Sequence, residues 1–140
     1  MDREIVEQKL ESLRRCLQRV QIKCPPDAST LEADFDLQDI VTLNLSRAVQ
    51  LCVDIAAHCI AATELPAPAT MGQTFDLLGQ AGLIDARLAD RMKKAVGFRN
   101  IAMHNYDAID WRIVHKIVQH HLQDFAAFAR AVVTMLETRP

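Results

Sequence analysis

Residues 37–62 of this 140-residue chain read LQDIVTLNLSRAVQLCVDIAAHCIAA, the longest helical pattern in the sequence. The apolar side chains in it are spread over most of the circumference of a helix: Leu43, Leu45, Val49, Cys52, Val53, Ile55, Cys59 and Ile60. A helix that is apolar nearly all round is normally buried. The stretch therefore predicts a core helix, and the rest of the chain has to supply the helices that cover it.

A narrow polar stripe interrupts this predicted core helix. Successive helical residues are stepped by about 100°, which places five polar side chains within one sector roughly 120° wide. They are Asn44, Arg47, Gln50, Asp54 and His58. In one interpretation Arg47 and Asp54 satisfy neighbours at a helix contact or face solvent. In the other, the stripe lines a cleft, with Arg47 and Asp54 as its charged members.

The segments on either side of the core helix also have helical patterns. Residues 2–21 carry apolar side chains at steps of three and four, and the prolines at 25 and 26 end this amphipathic helix. An acidic connector follows, to about residue 37. A short apolar segment over residues 75–81 is closed by Gly82, and Asp85 can cap the helix after it.

Asp107 and Asp110 are both candidates to cap the last predicted helix, which runs to about Glu137. His121 falls on its apolar seam, which favours a core histidine with its hydrogen bonds satisfied. Long β-branched or aromatic runs, which are typical of strands, are missing, and only four residues are glycine. The sequence therefore predicts an all-α fold, a compact up-down bundle of four to five helices.

Length, charge and cysteine content narrow the class of protein. At 140 residues the chain is long enough for one domain with its own core and too short for two, so residues 1–140 are predicted to form a single domain. The four cysteines lack the close spacing of a zinc knuckle or a redox dithiol, and no metal site or cofactor is expected. No signal peptide is visible and no apolar run approaches about 20 residues, so a soluble, cytoplasmic protein without membrane contact is expected.

Residues 99–106, RNIAMHNY, bring a guanidinium, an imidazole and a phenol together. These polar tips, with Asn100, would all need partners inside a core, so an exposed position is favoured. Arg99 can grip phosphate oxygens and His104 can move a proton near neutral pH, the pairing that metal-free RNA cleavage requires. The alternative is structural: Arg99 pairs with Asp107 or Asp110, His104 caps a helix end, and Tyr106 packs.

Charge is unevenly distributed along the chain. The net charge is −2, yet residues 87–112 hold six bases against three acids, whereas residues 27–39 hold five acids and no base. The basic segment contains residues 99–106. A dedicated nucleic-acid binder would be strongly basic, so any RNA contact is expected to be local, and weak without help from a second subunit.

The motif and its surroundings resemble a known family. Phe98-Arg99-Asn100, then His104 and Tyr106, are similar to the Arg-x4-His-x-Tyr signature of the HepT-like toxins of the HEPN superfamily, which are small all-helical proteins. The resemblance continues through Ile109 and Asp110, through residues 44–50 and 54–56, which resemble the family's long central helix, and through a connector like the family's at Pro66, Phe75, Leu78 and Ile84.

The resemblance implies a metal-independent endoribonuclease that is the toxin of a toxin-antitoxin pair. Arg99 and His104 would be the catalytic pair, and cleavage by 2′-hydroxyl attack would leave 2′,3′-cyclic phosphate ends. Asn100 and Tyr106 would position the substrate. The antitoxin would be an MntA-like protein of nucleotidyltransferase fold that adds adenylate to Tyr106, and the toxin would be a homodimer with both motifs at one cleft.

Two other functions fit the same residues. The chain could be a non-catalytic helical partner that positions the substrate of a minimal nucleotidyltransferase, its motif binding nucleotide phosphates without cutting RNA. It could also be a plain helical dimerisation domain with no ligand. Growth arrest on expression that is lost on His104→Ala favours the nuclease, whereas unchanged toxicity in that variant argues for neither catalytic role.

Overall fold

The computed structural model describes residues 1–138, which fold into helices without a strand among them. The helices are α1 (Arg3–Lys23), α2 (Ala28–Ala33), α3 (Phe35–Ala61), α4 (Met71–Gln80), α5 (Ala86–His104), α6 (Trp111–His120) and α7 (Leu122–Thr138). A short 3₁₀ turn, Tyr106–Ala108, lies between α5 and α6. The predicted all-α fold is confirmed, and residues 139–140 of the predicted 1–140 domain lie outside the described range.

The ends of α4 and α5 show why local sequence predicts them. Gly82 adopts φ +73°, a left-handed conformation that favours glycine, and the Leu83 amide donates back to the Leu78 carbonyl at 3.0 Å. The Asp85 carboxylate then accepts a hydrogen bond from the Leu88 amide at 2.7 Å, which satisfies a free donor at the start of α5. The predicted stop and the predicted cap are both confirmed.

The predicted core helix, α3, is largely buried and packs against α1, α4 and α5. Its buried side chains include Leu45, Val49, Cys52 and Ile55. By length and composition α3 would also pass for a membrane-spanning helix, contrary to the expectation that no apolar run has that character. Because 56% of its most apolar window is buried inside the fold, α3 is the core helix of a bundle.

The structure has more helices than the four to five predicted. One addition is α2, inside the acidic connector, where Leu31 is fully buried and the Gln38 side-chain amide donates to the Leu31 and Glu32 carbonyls at 2.9 and 3.0 Å. A six-residue helix of this kind depends on tertiary contacts, since isolated helices shorter than about 12 residues are marginal in water.

The other addition comes from the last predicted helix, which is broken at His121 into α6 and α7. Asp124, in the first turn of α7, is buried and accepts a hydrogen bond from Arg91 of α5 at 3.0 Å. The His121 ring lies beside the same carboxylate at 3.6 Å and is 46% exposed. The prediction that His121 is a core histidine is therefore wrong, because the helix is interrupted at that residue.

Phe128 is expected to be the most sensitive aromatic position of the core. It is fully buried on α7 and meets the ring of Phe75 on α4 edge-on, with centroids 5.6 Å apart. Phe128→Ala should lower the free energy of unfolding by about 3–5 kcal/mol, because the cavity cannot close completely. Urea denaturation followed by circular dichroism measures this change. Val133→Ala on the same helix, at a side chain 43% exposed, should change stability by less than about 1 kcal/mol, and equal losses in the two variants would contradict the assignment.

Candidate active site

The motif over residues 99–106 spans the end of α5 and the turn that follows it. His104 is the last residue of α5, and the Asn105 amide donates to the Ile101 carbonyl at 2.8 Å to close the final turn. Asn105 then leaves the helical region with φ −149° and ψ 58°, and Tyr106 begins the 3₁₀ turn. The motif therefore lies where the chain changes direction, and its residues His104 and Asn105 are exposed.

Arg99, Asn100 and His104 share the last two turns of α5. Asn100 and His104 are four residues apart and so lie on one face, whereas Arg99 and His104 are separated by roughly 140° around the axis. The Arg99 guanidinium, partly buried, donates to the Asn100 side-chain oxygen at 3.4 Å. It forms no salt bridge with any residue from 1 to 138, so the predicted alternative of pairing with Asp107 or Asp110 is not seen.

Tyr106 is tied back to the core helix. Its phenol donates a hydrogen bond to the Asp39 carboxylate on α3, with the two oxygens 2.6 Å apart. Its ring meets the Trp111 ring of α6 edge-on at 5.7 Å. Partial burial, together with the hydrogen bond and negative charge of Asp39, raises the pKa of Tyr106 to about 12. The phenol is therefore protonated at neutral pH, yet the side chain is still 37% exposed.

Asp39 was not singled out from the sequence. It lies on an exposed face of α3, and its carboxylate makes no salt bridge with the described part of the chain. One signal was present: an acidic residue inside a strongly apolar helix needs solvent or a partner. That signal does not name the partner, because Tyr106 is 67 residues away in the sequence.

The polar stripe of α3 turns toward α1. Asp54 accepts a hydrogen bond from Gln50 at 2.9 Å, and Lys9 of α1 approaches it at 3.7 Å. Burial raises the pKa of the Cys16 thiol on α1, and the positive charge of Arg47 acts in the opposite direction. Arg47 therefore also lies near α1. These contacts fit the interpretation in which the charged members of the stripe satisfy neighbours. No hydrogen bond or salt bridge within residues 1–138 joins Arg47 or Asp54 to Arg99 or His104, and a role in a cleft stays a prediction.

Exposed apolar side chains lie within the motif on α5 and on either side of Asp39 on α3. Phe35 and Leu43, 78% and 52% exposed, lie one turn before and one turn after Asp39 on α3. On α5, Ile101 and Met103 are 48% and 57% exposed. We call these four residues the apolar border. Large apolar side chains grouped on a surface mark sites of association.

The motif does not lie inside the apolar cleft formed by α3, α5 and the junction of α6 with α7. That cleft has a volume of about 390 Å³ and is lined by Leu45, Phe98 and Phe125, among others, with Arg91 at its edge. Arg99, His104 and Tyr106 are absent from its lining. These three side chains, exposed or partly buried, therefore lie outside this cleft.

The sequence is similar to known ribonucleases over most of its length. The sequence model of the family described as Ribonuclease HepT-like matches residues 6–132. The mRNA nuclease HepT of Shewanella oneidensis is 42% identical over 125 residues, which cover 89% of this chain and 93% of that protein. The tRNA nuclease HepT of Aphanizomenon flos-aquae is 25% identical over 134 residues, covering 96% and 91% of the two chains.

Solved structures show the same fold. The tri-AMPylated HEPN toxin of Shewanella oneidensis, in complex with its MNT antitoxin, superposes with a TM-score of 0.89 at 40% identity, covering 96% of this chain and 99% of that one. The family match and the similarity to the 42% identical relative both extend over most of the chain. The family match includes all of residues 99–106. The chain therefore belongs to the HepT-like ribonuclease family.

Proposed function

We propose that this protein is the toxin of a toxin-antitoxin pair and an endoribonuclease whose catalytic residues are Arg99 and His104. The observation that carries the proposal is that the last two turns of α5 hold both a guanidinium without a salt bridge in residues 1–138 and an exposed imidazole. Membership of the HepT-like family and the 42% identical mRNA nuclease support it. The proposed site of action is the cytoplasm, where RNA is available.

The proposed reaction is attack by the RNA on itself. His104 takes the proton of a ribose 2′-hydroxyl, whose oxygen attacks the adjacent phosphorus. Arg99 stabilises the extra negative charge on the phosphorane oxygens, and the 5′-oxygen of the next nucleotide leaves. The products are a 2′,3′-cyclic phosphate and a free 5′-hydroxyl. Asn100, on the same face of α5 as His104, positions the substrate or the imidazole, and Tyr106 contributes from the following turn.

A homodimer completes this proposed site. One imidazole cannot easily be both base and acid in a single step, so a second His104 near the same phosphate would protonate the leaving oxygen. The apolar border offers the surface for such an association, since Phe35 and Leu43 flank Asp39 on α3, Ile101 and Met103 lie within the motif, and all four are about half or more exposed. In the dimer, two weakly basic segments would also combine to hold one RNA.

Tyr106 is the proposed point of control. A nucleotidyltransferase-fold antitoxin would add adenylate to its phenol, as the related Shewanella oneidensis toxin is tri-AMPylated in complex with an MNT antitoxin. The added phosphate would lie two residues from His104, where its negative charge competes with RNA for Arg99. Inactivation would follow without unfolding of the bundle.

Cleavage of labelled RNA in excess EDTA tests the nuclease proposal. Unmodified protein, purified away from its antitoxin, is expected to cut RNA at an undiminished rate under chelation and to leave cyclic phosphate ends. Because the two curated relatives are named for mRNA and for tRNA, both classes belong in the substrate panel. RNA with 2′-methoxy groups should resist cleavage, since it lacks the internal nucleophile.

Three results would count against this proposal. Cleavage of 2′-methoxy RNA would exclude 2′-hydroxyl attack, and loss of cleavage in EDTA would exclude a metal-independent reaction. If demonstrably unmodified protein leaves the whole panel intact, the chain is better explained as a non-catalytic partner of a nucleotidyltransferase.

A further inference from the structure

The hydrogen bond between Tyr106 and Asp39 places a carboxylate on the one atom of Tyr106 that could be modified. The phenol oxygen lies 2.6 Å from Asp39 Oδ1, the short distance of an O–H donor facing a charged acceptor. No basic side chain within residues 1–138 forms a salt bridge with Asp39. Its carboxylate is therefore free to accept a proton from the hydroxyl that it already holds.

A phenol needs such an acceptor before it can act as a nucleophile. The pKa of Tyr106, raised to about 12 by partial burial and by Asp39, leaves almost no phenolate near neutral pH. A neutral phenol attacks phosphorus efficiently only if a base removes the proton as the new bond forms. The base must lie within about 2.6–3.2 Å of the oxygen, and Asp39 meets that requirement before any partner arrives.

We propose that Asp39 is the general base for adenylylation of Tyr106, so that the toxin itself supplies a catalytic group for its own inactivation. The inference rests on the proposed modification of Tyr106 by the antitoxin. The Tyr106 oxygen attacks the α-phosphorus of ATP, and the bond between that phosphorus and the bridging oxygen to the β-phosphate breaks. Pyrophosphate leaves with the electron pair, and the phenolic proton passes to Asp39 and then to water.

The position of Asp39 also restricts where the nucleotide can approach. Trp111 covers one edge of the Tyr106 ring, and Asp39 holds the phenol oxygen from α3. The triphosphate therefore has to arrive from the solvent-exposed side, which is where an antitoxin can present it. Fixing the oxygen in advance lowers the entropic cost of bringing it into line with the leaving group.

The test is the rate of adenylate transfer to the full chain by its proposed nucleotidyltransferase-fold antitoxin, measured with radiolabelled ATP and intact-protein mass spectrometry. Asp39→Asn keeps the size and a hydrogen-bonding oxygen of the side chain but cannot accept the proton at neutral pH. With this variant as the acceptor, the kcat of the antitoxin for adenylylation should fall by roughly 10²- to 10⁴-fold, with little change in the KM for ATP. Asp39→Glu should retain far more activity.

Two controls separate base catalysis from a structural role. Asp36→Asn makes the same chemical change at another exposed carboxylate on α3 and should leave the adenylylation rate unchanged. Formate or acetate should restore part of the rate lost in Asp39→Ala, because a small carboxylate can enter the space that the side chain has left. A merely structural Asp39 would not be rescued by a soluble base.

The outcomes distinguish this inference from the function on which it rests. If Tyr106 of the wild-type protein gains no adenylate, the proposed modification fails and the role of Asp39 fails with it. If wild-type Tyr106 is modified and Asp39→Asn is modified at a similar rate, only the role of Asp39 is overturned. The role of Asp39 as general base would also be overturned if Asp39→Asn is adenylylated slowly but formate or acetate restores none of the rate lost in Asp39→Ala.

Discussion

Arg99→Ala and His104→Ala are each expected to lower the rate constant for RNA cleavage by roughly 10²- to 10⁴-fold. His104→Ala removes the group that takes the 2′-hydroxyl proton, and Arg99→Ala removes the cation that offsets the charge of the phosphorane. Neither side chain belongs to the buried core, since His104 is exposed and Arg99 is only partly buried, so both variants should fold. Single-turnover cleavage of a labelled RNA, with circular dichroism as the check on folding, measures the effect.

The chain offers a matched control for each variant. Arg130→Ala removes an exposed arginine on α7, outside the basic segment, and His120→Ala removes an exposed histidine at the end of α6. Both should cut RNA within about twofold of the wild-type rate, because neither residue belongs to the motif. A well-folded His104→Ala that still cuts RNA at the wild-type rate would refute its role as base.

The double variant tests whether Arg99 and His104 act on one transition state. Groups that act as a unit in catalysis give strongly non-additive losses, so Arg99→Ala with His104→Ala should be little slower than the worse single variant. Fully additive losses would instead place the two side chains in separate steps, such as RNA binding and chemistry.

Helix boundaries were predictable where the deciding atoms are close in sequence. The cap at Asp85 and the glycine stop at Gly82 each involve residues within a few positions, and both were recognised. The break at His121 was missed because no glycine or proline marks it; the contact of Arg91 with Asp124, in the first turn of α7, joins residues 33 apart. The same applies to α2, whose anchor Leu31 is buried under helices that a local pattern cannot identify.

The candidate site was predictable in its residue types but not in its geometry. The spacing of Arg99, His104 and Tyr106 identified the motif and the family. The helical twist that sets Arg99 and His104 roughly 140° apart, and so leaves the site open on one chain, became clear only with α5 in place. The bond from Tyr106 to Asp39 joins residues 67 apart, and neither residue carries a local signal for the other.

Tyr106→Phe is expected to abolish silencing of the toxin by adenylate transfer. The substitution removes only the phenolic oxygen, to which adenylate would be attached, and Tyr106 is the one tyrosine in the chain. Because Tyr106 is also placed near the substrate, the useful quantity is a ratio: RNA cleavage after incubation with antitoxin and ATP, divided by cleavage after incubation with antitoxin alone. For the wild-type protein this ratio should fall toward zero as modification completes; for Tyr106→Phe it should stay near one.

The ratio separates modification from simple binding by the antitoxin. An antitoxin that silences the toxin only by covering the apolar border would lower cleavage equally with and without ATP, so both proteins would give ratios near one. A ratio that falls with ATP in Tyr106→Phe as well would place the modification on a different side chain, and the mass of the modified peptide would locate it. If the ATP-dependent loss of RNA cleavage is confined to the wild-type protein, the site of silencing is the Tyr106 phenol, which Asp39 holds two residues from the proposed catalytic histidine.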